Sequence, residues 1–135
     1  MNASADRVWS ALRDFHDASW SEDVVEELTP VGSVQGTEPG AKRILNGAFH
    51  ETLISLDDDE REFTYSIDDG PGPVAKEKVD GYVGRVRVLP VTVPGDANRC
   101  LVVWESRWAR EEGGVAEFCD PIYRALLADL SAHFG

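Results

Sequence analysis

Two periodicities divide the chain. From Val24 to Ala109, apolar and polar residues alternate in short runs, each ended by a cluster of Gly, Pro, Asn or Asp, which is the pattern of strands and turns. From Val115 to Phe134, apolar residues recur every fourth position as Phe118, Ile122, Leu126, Leu130 and Phe134. That spacing predicts one long helix with the five along one side. One helix closing a mostly antiparallel sheet is an economical way to build a single large apolar cavity.

Ahead of the strands, Ser4 is placed to cap a helix over 5–15 whose stripe is Val8, Trp9, Leu12 and Phe15. A helical turn over 18–23 would bury Trp20. Strands are predicted over 26–34, 41–45, 49–56, 62–68, 79–89 and 99–109, with Asn46-Gly47 as the strongest hairpin signal. Asp57–Glu60 and Gly70–Pro73 read as turns, and Pro90–Asn98 as the loop between the two longest strands. Pro121 interrupts the last helical pattern. Either Asp120 caps a helix that starts there, or the helix begins earlier and accommodates the proline.

The resulting order is α+β. A length of 135 residues fits one domain spanning 1–135. No apolar run reaches the roughly 18 residues of a membrane span, and the N-terminus lacks the basic and apolar regions of a secretory signal. Cys100 and Cys119 have no metal or redox spacing and read as free thiols in a cytoplasmic protein. The 25 acidic against 13 basic residues give a formal charge of −12, which argues against nucleic acid and anionic membranes as partners. Ten of the cations are Arg, a composition suggesting a GC-rich or salt-tolerant bacterial source.

Five segments carry a family resemblance: ADRVWSALRDF at 5–15, PGAKRI at 39–44, HETLISLDDDEREFTYSIDDGP at 50–71, VVWESRW at 102–108 and FCDPIYRALLADL at 118–130. In this order they make the chain resemble the START/Bet v 1-like superfamily (SRPBCC), in its polyketide cyclase/dehydrase-like branch. Plant abscisic-acid receptors are more distantly similar. The resemblance implies a helix-grip fold, a curved antiparallel sheet wrapped around a long C-terminal helix with two short N-terminal helices. The chain departs from the family in three places. Only Met1–Ala3 precede Ser4, too few for the family's first strand: either the start is truncated or misassigned, or the sheet is one strand short. Asn46-Gly47 is too short for the apolar gate of the receptors, and Val24-Val25 stand where those receptors carry a lysine. A bare sheet edge left by the missing strand invites a homodimer.

In the family register the cavity wall comprises Phe49, Glu51 and Leu53; Phe63, Tyr65 and Ile67; Tyr82, Gly84 and Val86; and Phe118, Ile122 and Leu126. Alternatively, these side chains simply fill a small core. Glu51 is the catalytic candidate, since a carboxylate among apolar neighbours has its pKa raised and can move protons. The competing reading pairs it with Arg43 or Arg107. In the strand over 99–109, binary patterning turns Cys100, Val102, Trp104, Ser106 and Trp108 inward. The family register turns Val103, Glu105 and Arg107 inward instead, and is the expectation carried forward. It would leave Trp104 and Trp108 outside, stacked on Arg85 and Arg87 or buried in a dimer contact.

His16, His50 and His133 have no metal-ligand spacing and read as surface residues. No GxSxG, GxGxxG, P-loop or HExxH occurs, so the reactions those motifs support lack a basis here. No cofactor is expected. The expected function is binding of a small hydrophobic molecule: a polyketide, isoprenoid or lipid-like metabolite. The alternatives are a polyketide cyclase, aromatase or dehydratase using Glu51, and a protein-interaction or dimerisation domain.

Overall fold

The structure, a computed structural model, describes residues 1–95 and 98–135; part of the predicted Pro90–Asn98 loop therefore lies outside the described residues. Helix α1 spans Ala5–Leu12, and the Ser4 side chain accepts from the Arg7 N–H at 3.3 Å as the cap. It ends before Phe15, whose ring nevertheless lies buried in the core. A single 3₁₀ turn at Ser19–Ser21 buries Trp20.

Six strands form one antiparallel sheet in the order β1-β2-β3-β4-β6-β7: Leu28–Val31, Lys42–Leu45, Phe49–Asp57, Glu62–Asp69, Val83–Pro90 and Cys100–Arg107. The predicted strand over 79–89 is broken at Gly81-Tyr82, where Gly81 has φ +67°. Its first piece, β5 (Val79–Asp80), pairs with β8 (Arg110–Glu111) in a separate ribbon. Asn46 and Gly47, both at positive φ (54° and 65°), make the β2–β3 hairpin. Met1 bridges β7: its amino group donates to the Cys100 carbonyl at 2.9 Å, and the Cys100 N–H donates to the Met1 carbonyl at 3.2 Å.

Helix α2 runs from Val115 to Phe134, starting after Gly114 at φ +83°. Pro121 therefore lies inside it, at the expense of one hydrogen bond to the Glu117 carbonyl. Its buried residues are Val115, Cys119, Leu126 and Leu130; of the predicted row, Leu126 and Leu130 are among them, and Phe118, Ile122 and Phe134 are half-buried. Strict four-residue steps advance about 400° each, so a row of five drifts about 160° around the helix. Phe118 and Phe134 consequently sit at the margins of the buried face, and Phe134 lies under the Arg7 guanidinium at 5.6 Å.

The core has two ends. At one, Trp9 of α1 and Phe15, just beyond it, pack against Phe63 at 6.3 and 6.2 Å between ring centroids. This end is filled, with Leu53, Phe63, Val86 and Val88 at most 4% exposed. At the other, α2 and the segment from Ala18 to Val25 face the sheet across a gap. No described helix is long and apolar enough to cross a membrane.

Candidate functional site

That gap is a cavity of about 60 Å³ lined chiefly by apolar groups: Trp20, Val24, Val25, Leu45, Phe49, Ile67, Ile122 and Leu126. An apolar cavity that binds benzene measures about 150 Å³. The present one holds no more than a water or two, so the single large cavity expected from the element order is instead a narrow cleft. Aromatic rings occupy the space, with Trp104 stacked on Tyr123 at 5.1 Å and crossing Tyr65 edge-on at 6.4 Å.

Six of the predicted wall residues line the cleft: Phe49, Glu51, Tyr65, Ile67, Ile122 and Leu126. Leu53, Phe63 and Val86 belong to the filled end beneath α1. Phe118 lies just outside, packed on Phe49 at 6.3 Å. Tyr82 stands behind the wall, stacked on Trp108 at 6.0 Å and 7°.

Val103 and Glu105 are corrections. The family register expected of β7 is reversed, and binary patterning gives the observed faces. Cys100 is buried and Trp104 lines the cleft, whereas the Glu105 side chain is 52% exposed on the outer face with the Arg85 Nε at 2.8 Å. Arg107 is likewise exposed, so it is no partner for Glu51. Two indoles on the outer face would cost far more apolar exposure than one valine does. Trp104 and Trp108 therefore form no outward-facing pair.

Glu51 is held by Arg43. The guanidinium Nε donates to Oε1 at 2.8 Å, and Nη2 lies 2.7 Å from the same oxygen. Arg43 itself donates through Nη1 to the Phe15 carbonyl at 3.0 Å, and its Cζ lies over the Phe15 ring, 3.7 Å from the centroid. Both residues are buried, at 7% and 6% exposure. Burial pushes the Glu51 carboxyl above the ordinary glutamate value, with the Arg43 charge opposing it.

All three tyrosines of the chain converge beside this pair. Trp104 Nε1 donates to the Tyr65 hydroxyl at 3.0 Å, and the Tyr65 and Tyr123 hydroxyls are 3.0 Å apart. Tyr123 contacts the Tyr82 hydroxyl, which donates to Cys119 Sγ at 3.6 Å. Burial holds all three phenols protonated, their pKa values raised far above the usual tyrosine range. Gly84 makes the cluster possible. It lies opposite Tyr65 across β4 and β6, and a Cβ there would stand 2.3 Å from the Tyr65 ring.

One family description and three solved structures now bear on this geometry. A family model described as "Polyketide cyclase / dehydrase and lipid transport" matches residues 1–135. The chain belongs to this family. Among solved structures, a protein from Nitrosospira multiformis is 40% identical with TM-score 0.93, covering 100% of this chain and 91% of that one. Ginseng major latex-like protein 151 from Panax ginseng shares the fold at 15% identity and TM-score 0.75, covering 99% and 91%. Norcoclaurine synthase from Thalictrum flavum, solved in complex with dopamine and hydroxybenzaldehyde, shares it at 19% identity and TM-score 0.64, covering 98% and 80%. No curated protein matches the chain. The helix-grip architecture of this polyketide cyclase-like chain is thus that of a ligand-binding fold.

Several lining residues escaped the sequence reading. Arg43 was named only as a possible partner of Glu51 and not as a lining residue, although strand alternation places it with Ala41 and Leu45 on the inner face. Tyr123 had none, being one residue off the apparent helical row. Asn46 was read only as a turn residue, yet its side chain closes one wall. Its Oδ1 accepts from the Glu26 and Glu27 N–H groups at 2.9 and 3.1 Å, and its Nδ2 donates to the Val24 carbonyl at 2.8 Å. At its other end, the same segment is tied to α2 by the Ser21 hydroxyl donating to Asp129 at 2.8 Å.

Proposed function

We propose that this chain is a cytoplasmic binder of a small, mostly apolar molecule of polyketide, isoprenoid or lipid-like character, held between the sheet and α2. The observation that supports it best is the asymmetry of the core: one end filled by α1, the other an apolar cleft converging on Arg43–Glu51 and the phenols. A ligand of metabolite size exceeds about 60 Å³, so binding requires the wall to move. The strap over Val24–Glu27 is the element to do so, because side-chain hydrogen bonds from Asn46 hold it across the mouth. Native mass spectrometry of the protein as purified tests the reading. An additional few hundred daltons lost on denaturation supports it; a bare mass that no panel of apolar probes alters refutes it.

A second reading has one observation in its favour. Glu51 lies in the cleft with its proton affinity raised by burial, as a general acid–base requires, which suits a cyclase or dehydratase. Under that reading Glu51→Gln abolishes turnover and spares binding; equal loss of both makes Glu51 a positioning residue.

A further inference from the structure

The phenol cluster can be read proton by proton. It holds four strong donors: the Trp104 indole N–H and the three tyrosine hydroxyls. The indole donates only, so one acceptor position of the Tyr65 oxygen is taken. At the far end the Tyr82 proton goes to Cys119 Sγ. Tyr82 therefore cannot also donate to Tyr123, and that contact requires Tyr123 to be its donor. The Tyr123 proton is then spent, so Tyr65 must donate to Tyr123.

One direction, Trp104 to Tyr65 to Tyr123 to Tyr82 to Cys119, gives every strong donor an acceptor. In the reverse direction Tyr65 would accept from both Trp104 and Tyr123. Its own buried proton would then have no partner in the cluster, an arrangement that costs the full desolvation of that group. A thiol is too weak a donor to compensate.

Two of these residues, Tyr65 and Tyr123, line the cleft. Each oxygen there donates once and accepts once, and keeps one acceptor position over. We infer that the phenol end of the cleft selects a ligand presenting a hydroxyl or N–H and discriminates against one presenting a carbonyl or ether oxygen; this rests on the ligand-binding reading. A ligand hydroxyl finds a vacant lone pair. A ligand carbonyl finds no phenol proton without breaking the relay and stranding a buried donor.

The test is calorimetric titration with three probes of one shape, 2-naphthol, 2-methoxynaphthalene and 2-naphthaldehyde. The expected result is 2-naphthol binding roughly tenfold or more tightly than either of the others. In a merely apolar cleft the hydroxyl would be desolvated for nothing, and the ether would bind as well or better. Tyr123→Phe supplies the second arm. It removes the acceptor of the Tyr65 proton while leaving the Trp104 bond in place, so the preference should shrink and the aldehyde gain affinity. Equal affinities, or a tighter aldehyde, for the unmutated protein overturn the inference and leave the cleft reading intact. A naphthol preference undiminished in Tyr123→Phe also overturns it, since the relay is then not what excludes the carbonyl. Binding of none of the three refutes the ligand-binding reading itself.

Discussion

Replacing Gly84 by alanine separates two opposed effects with a single methyl group. Gly84 sits in β6 without a left-handed φ, so alanine fits the backbone and on its own should add about 0.4–1 kcal/mol by restricting the unfolded chain. Its Cβ, however, would lie 2.3, 2.4 and 2.5 Å from Cζ, Cε1 and the hydroxyl of Tyr65. Carbon atoms settle near 3.5 Å, so the ring must retreat by roughly 1.2 Å. It has little room to do so, being 1% exposed and flanked by Phe15, Phe63 and Trp104.

Overpacking of this kind costs about 1–3 kcal/mol, which leaves a net loss of up to about 2.5 kcal/mol, centred near about 1.3 kcal/mol, and a Tm lower by roughly 5 °C at that centre. Urea denaturation of the single variant measures the sign. The same substitution made in a Tyr65→Ala background should be neutral or stabilising, because the opposing ring is gone. If Gly84→Ala stabilises the otherwise unchanged protein, or costs the same in both backgrounds, then Gly84 is not what admits the phenol cluster.

Arg43→Leu should cost about 3–5 kcal/mol by leaving the Glu51 carboxylate buried and unpaired, whereas Arg43→Leu with Glu51→Leu should recover most of the loss; denaturant midpoints decide. Glu51 also makes a signed pH prediction. Its folded pKa is raised, so the folded state binds the extra proton. Its contribution to stability therefore falls as pH rises from the ordinary glutamate value of about 4.3 through the raised value. Glu51→Gln should accordingly gain stability relative to the unmutated protein across that window, and parallel pH curves would contradict this. Asn46→Ala removes three side-chain hydrogen bonds from the strap. It should lower stability by about 1–2 kcal/mol, and amide exchange at Glu26 and Glu27 should quicken ahead of the sheet; unchanged exchange there would exclude the strap as the moving wall.

The fold was legible because its signals are local. Ser4 caps α1, Asn46-Gly47 turns the chain, and the alternation of Phe63, Tyr65 and Ile67 fixes which face of β4 is buried. Where family register and binary pattern conflicted, on β7, the pattern held, because burying Trp104 outweighs burying Val103. The site was less legible because it depends on distances between elements. Nothing local marks Leu53, Phe63 and Val86 as belonging to the end that α1 fills, although they share a face with Tyr65 and Ile67. Pairing Arg43 with Glu51 was one of two partners that charge alone allowed, and the hairpin register, Arg43 opposite Glu51, selects it. The cleft's small size could not be read at all, since ring positions across the core set it.

The four tryptophans offer the most direct test of the central claim that the cleft between sheet and α2 receives an apolar ligand. Trp20 and Trp104 line it, whereas Trp9 lies at the filled end with its N–H donated to Asp58 at 2.8 Å. In a proton–nitrogen NMR titration with 2-naphthol, the indole signals of Trp20 and Trp104 should move together and saturate while that of Trp9 stays fixed. Movement of Trp9 alone, or no movement of Trp20 and Trp104 at any concentration, would contradict the account.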